Sequence, residues 1–264
     1  MAFYVDIEDL LYLPLRSNIP HARYVLSLNL SSMTPSVQKS AARIAGFMYL
    51  LLSVLAFTAA FGIRSPILAG DDYSLISTRI LHAETLFRIG MVCDLVGGAG
   101  NALLAIALYT LLKPVNEYLS LLAAFWRLGE TVILGYIVYH SMEVLQLLKD
   151  PGYSAVFTPG QLQGLIRSHF DAQGAGFNIG LFFYSLGSTL FCYLLFKSGL
   201  IPRGLSLWGL LGSLLAGLCI LATTIFPPLE TILIPAGYIP VGAFEVVAGF
   251  WLLFLPIRQM PINQ

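Results

Sequence analysis

The chain has 264 residues, 57% of them hydrophobic and only 11% charged, with 14 basic residues against 14 acidic ones. A soluble domain carries about 25% charged residues, so the composition excludes an ordinary water-soluble fold, and the lack of a basic patch with interleaved aromatics excludes a nucleic-acid partner. The apolar excess is gathered into runs of roughly 20 residues, the length that crosses a bilayer. The fold class is therefore all-α, a polytopic transmembrane bundle of about six spanning helices whose main partner is the lipid bilayer.

Residues 1–40 form an N-terminal tail of different character, mixing Asp6, Glu8, Asp9, Pro14, Arg16, Pro20 and Arg23 with scattered apolar residues. A basic start, a clean apolar core and a small-residue cleavage site are all missing, so the tail is not a signal peptide. Met33-Thr34-Pro35-Ser36 couples a start residue to a helix-opening sequence, and translation is expected to begin at Met33. Residues 41–258 hold the bundle and 259–264 a C-terminal tail.

The first span covers about 44–63 and is expected to stop at Arg64 and Pro66; Gly70-Asp71-Asp72 marks a turn. The second runs over about 86–112, with Glu84 and Arg88 spaced for an i,i+4 pair. The third, about 119–148, ends at Asp150-Pro151-Gly152. Thr158-Pro159-Gly160-Gln161 supplies a helix N-cap with proline in the first turn, leading into a fourth span over about 170–196. The fifth covers about 205–226 and ends at Pro227-Pro228; the sixth covers about 236–255, with Pro235 making its entry irregular.

Basic residues set the orientation. With the N-terminus inside, Arg16, Arg23, Lys39, Arg43, Lys113, Lys197, Arg203 and Arg258 are cytoplasmic, against Arg64, Arg79, Lys149 and Arg167 outside. A start at Met33 removes two of the inside charges and keeps the bias. Both termini are expected in the cytoplasm, with the protein in the cell membrane.

Charges within the spans are costly, about 2.5–3.5 kcal/mol each at the helix centre by insertion scales, so they persist only with partners. Arg127 and Glu130, three apart in Phe125-Trp126-Arg127-Leu128-Gly129-Glu130, share a helix face, as do Asp94 and Asn101 seven apart. On the fourth span His169 and Gln173 share one face and Asp171 and Asn178 another; Arg88 lies near one surface, and Glu245 stands by itself on the sixth span. These ten residues form the candidate polar cluster. The expected network balances Arg88 and Arg127 with Asp94 and Glu130, Asp94 being the interhelical partner of Arg127. Glu245 is expected to point into the bundle and meet a hydroxyl, an amide or a basic group. The cluster is either a structural network or a site for a small amphipathic ligand. The alternative is an acid–base or hydrolytic enzyme acting on a lipid-like substrate, with His169 and Asp171 or Glu130 as its cast, but no residue is assigned as catalytic. Neither a metal nor another cofactor is implied. Cys93, Cys192 and Cys219 lack metal or redox spacing, His140 and Glu143 supply only two ligands, and no His-Glu-x-x-His occurs.

Several blocks recur in a recognisable order: "ARIAGFMYLL" at 42–51, "LFRIGMVCDL" at 86–95, "LYTLLKPVN" at 108–116, "LAAFWRLGE" at 122–130, "GFNIGLFFYSLG" at 176–187, "LLFKSGLIPRGLS" at 194–206 and "GAFEVVAGFWLL" at 242–253. Over roughly 40–258 the chain resembles the bacterial membrane proteins grouped as domain of unknown function 4386. The resemblance implies the helical membrane fold. Where relatives often carry a histidine and an aspartate beside the "IGL" block, this chain has Gln173 and Asn178.

Overall fold

The computed structural model describes residues 35–254, and every regular element among them is helical. The first helix, α1 (Pro35–Phe57), does not stop at Arg64 and Pro66. It continues through a π-helical segment, Thr58–Arg64, into a last turn at Ser65–Ile67. Pro66 sits in the first turn of that piece, where a missing N–H costs nothing. The expectations for the first 32 residues and for 259–264 lie outside the described residues.

A short helix that the spans do not foretell follows, α2 (Tyr73–His82). Asp72, in the expected turn, is its N-cap: the carboxylate accepts from the amides of Ser74 and Leu75 at 2.9 and 3.4 Å. The long helices α3 (Glu84–Leu112) and α4 (Glu117–Lys149) come next, separated by a tight turn around Lys113-Pro114. Asp150 then caps a second unforeseen short helix, α5 (Pro151–Val156). Thr158 opens α6 (Pro159–Ser198) with a full capping box to Gln161, and this helix ends on Gly199 in the left-handed conformation at φ 64°.

Helix α7 (Arg203–Ile225) is followed by a 3₁₀ turn at Pro227–Leu229 and by α8 (Glu230–Phe254). The last helix therefore starts before the expected 236, with Pro235 and Pro240 inside it. A transmembrane helix tolerates such prolines where neighbours and local adjustment satisfy the freed carbonyls.

Among the described residues six helices are long and apolar enough to cross a membrane. Each packs on the next to close a ring: α1 on α3, α3 on α4, α4 on α6, α6 on α7, α7 on α8, and α8 back on α1. The outer surface carries Val54, Phe57, Leu103, Ile106, Phe125, Val132, Leu218 and Ile239, all largely exposed. Such a continuous apolar belt is stable against lipid and not against water. The molecule is a multi-pass membrane protein. We call the end with Pro35, Lys113 and Gly199 the near end and the end capped by α2 and α5 the far end. At the far end Ile76 and Ile80 of α2 are buried on Ile63, Phe87 and Val144, so the apolar face of α2 explains its fold.

Candidate functional site

Polar side chains from five of the six spans reach the ring interior at one level, roughly three to four turns from the near end. Tyr49 of α1, Asn101 of α3, Arg127 and Glu130 of α4, Tyr184 and Ser188 of α6, and Glu245 of α8 make up this layer. The helical spacing of Arg127 and Glu130 turns both inward, and small residues let the neighbours close over them. A Cβ at Gly187 would lie 2.9 Å from both the Ala123 carbonyl and Arg127 Cγ, so only glycine allows α6 this near to α4.

Arg127 is the centre. Its side chain is 3% exposed. Nη1 lies 3.0 Å from Glu130 Oε2, an ion pair that falls short of hydrogen-bond alignment. Nη2 donates to Asn101 Oδ1 at 3.0 Å, and Nη1 donates to Ser188 Oγ at 3.4 Å. The Asn101 amide turns its other side to the carboxylate, Nδ2 donating to Glu130 Oε1 at 3.2 Å. The guanidinium lies over the Tyr184 ring, 4.4 Å from its centre, a cation–π contact inside an apolar shell. Nε has no hydrogen-bond partner among the described residues. The Tyr184 hydroxyl then donates to Glu245 Oε1 at 2.9 Å, and Glu245 is within Coulombic reach of both Arg127 and Glu130. Glu245 thus points inward and meets a hydroxyl, as expected.

The expected pairing of Arg127 with Asp94 is corrected. Asp94 is bonded to Arg64, which the continuing π-helical end of α1 carries over α3. Arg127 has the expected pair with Glu130 of its own helix, and from α3 and α6 it takes neutral hydrogen-bond partners in place of Asp94. Arg88 also leaves the expected network: its Nε meets Glu84 Oε1 at 2.8 Å on the surface, with Lys149 joining the same carboxylate at 2.8 Å.

The fourth-span candidates do not gather at the centre either. The two Nδ1 atoms of His169 and His140 are 2.8 Å apart, and the ring of His140 is edge-on to those of Tyr136 and Tyr139. Asp171 faces Arg167 at 3.8 Å, both exposed, so His169 and Asp171 serve separate contacts and no acid–base pair forms from them. Asn178 donates to Glu230 at 3.0 Å near the far end, and Gln173 Nε2 is buried without a partner among the described residues. No group of three or more His, Cys, Asp or Glu among the described residues is placed to hold a metal ion.

Tyr49, Tyr184 and Ser188 belong to the layer and were not on the candidate list. Tyrosine and serine occur throughout these spans, and nothing in their spacing separates these from packing residues. The family model described as a domain of unknown function, DUF4386, matches residues 44–255, which takes in five spans whole and most of the first. The chain belongs to the DUF4386 family. No curated protein and no solved structure matches it. The match takes in every residue of the central layer of this DUF4386 protein, from Tyr49 to Glu245.

Proposed function

We propose that this DUF4386 protein resides in the cell membrane with both termini cytoplasmic, and that its interior layer is a site for a small amphipathic ligand. The observation that carries the reading is the unequal sealing of the ion pair. The Arg127 side chain is 3% exposed, whereas its partner Glu130 retains 16%. A purely structural pair in hydrocarbon gains from closing both partners. Here the cation is locked by four neighbours while the Glu130 side chain is held less tightly, which supports the reading.

Contacts at the glycines of the wall support the same reading. Near the cluster α1 and α8 are in backbone contact, a Cβ on Gly46 meeting the Leu253 nitrogen at 2.6 Å and the Gly249 carbonyl at 2.8 Å. Gly242 is two turns farther along α8 on the same face as Gly249, and a Cβ there meets nothing within 4 Å. Gly97, on the α3 wall between Asp94 and Asn101, is equally free. The space free at Gly242 and Gly97, against the close contact at Gly46, supports a looser wall toward the far end.

Cysteine labelling tests the reading. In a chain with Cys93, Cys192 and Cys219 replaced, G242C and G97C should react with a small water-soluble thiol reagent in intact membranes, and material co-purifying with the protein should slow the reaction. Two unreactive cysteines would make the layer a closed structural network instead.

A further inference from the structure

Charge counting in the layer defines what the ligand must be. Among the described residues Arg64 and Asp94 pair with each other, and Arg88 and Lys149 share Glu84 at the surface. What remains inside the ring is one guanidinium, Arg127, and two carboxylates, Glu130 and Glu245. Glu130 has the guanidinium at 3.0 Å; Glu245 has only the Tyr184 hydroxyl at 2.9 Å. Arg127 makes its ion pair with Glu130, its Nη atoms also donate to Asn101 and Ser188, and no hydrogen bond joins it to Glu245 among the described residues. A second carboxylate beside one guanidinium in a low-dielectric interior is one that a further positive charge would stabilise.

The space next to that carboxylate suits an organic cation. Tyr238 lies seven residues before Glu245 on the same face of α8, about 10 Å nearer the far end. It is 41% exposed, and its ring meets Phe177 of α6, itself 42% exposed, edge to face at 6.1 Å. Aromatic faces beside a carboxylate are the usual surroundings of ammonium groups. Gly242 lies between Tyr238 and Glu245 on the same face, and nothing stands within 4 Å of a Cβ there, which leaves room for a ligand's head.

We propose, resting on the ligand-site reading above, that the excess carboxylate in the DUF4386 layer binds the positively charged head of a cationic amphiphile, an alkylamine or alkylammonium, between Glu245 and Tyr238. The probes are decyltrimethylammonium, decanoate and decanol, titrated calorimetrically into the full chain in lipid nanodiscs, with empty nanodiscs subtracted. The ammonium probe should saturate with one equivalent and the other two should not. E245Q should weaken it at least tenfold and Y238L severalfold, while D171N at the exposed surface leaves the affinity unchanged. Saturation by decanol or decanoate with none by the ammonium overturns the cation and keeps a ligand site; failure of all three overturns both readings. Should E245Q not fold, Y238L decides: unchanged ammonium affinity in a folded Y238L overturns the proposal.

Discussion

Truncating Arg127 to alanine leaves Glu130 in the bundle with only the Asn101 amide to face it. Removing one partner of a buried pair costs about 3–5 kcal/mol, so Arg127→Ala should show a large drop in the detergent melting temperature. Arg127→Lys should recover little of it. A lysine brings a point charge without the planar fork that reaches Asn101, Ser188 and Glu130 together, and it stacks less well on Tyr184. Tyr184→Phe removes one hydrogen bond to a charged group, about 1.5–3 kcal/mol, and the same melting assay reads it. At this scale the sequence displays the arginine and glutamate, because a charge three residues from its opposite in an apolar run has few alternatives. It hides the partner of Asp94. Arg64 looks like the end of a span, and only a helix that continues through a π-helical segment brings it back over α3.

Helix contacts make contrasting predictions for glycines of one type. Gly46→Ala puts a methyl against the α8 backbone, which cannot yield like a flexible side chain, and overpacking of this kind costs about 1–3 kcal/mol. Gly97→Ala meets open space and should leave the melting temperature unchanged or slightly raised, since alanine is the better helix former. The pair is checked in one thermal-shift series. Among the caps, Thr158→Ala removes a capping box worth about 1 kcal/mol, and hydrogen exchange in the first turn of α6 should rise while the spans stay protected. That cap was legible, since Thr-Pro-Gly-Gln precedes a long apolar run. Asp72 and Asp150 cap helices of 10 and 6 residues. Such helices are too short to carry a span signal, so their aspartates read as loop residues, and the apolar face of α2 becomes visible only once Ile63 and Phe87 are seen beneath it.

For the whole molecule, the proposed orientation, argued from the bias of basic residues, would put the near end, with Lys39, Arg43, Lys113, Lys197 and Arg203, in the cytoplasm. A reporter inserted at 113–116 should be active only in its cytoplasmic form, and one at 152–157 only in its exported form; the reverse result would turn the protein over. Six spans were countable from hydropathy, yet their cyclic order was not, because apolar faces look alike until small residues reveal which helices touch. That order has a consequence for biogenesis. The wall between α1 and α8 joins the first and last of the spans, so every other neighbour is already present in the bilayer before the ring can shut. During synthesis α1 waits, with Gly46 and Tyr49 facing lipid, until α8 has left the ribosome, and Arg127 must hold its place with Glu130, Asn101 and Ser188 before Glu245 arrives. A nascent chain arrested after α7 should therefore keep its Arg127 pair yet be cut by membrane quality-control proteases that spare the finished protein.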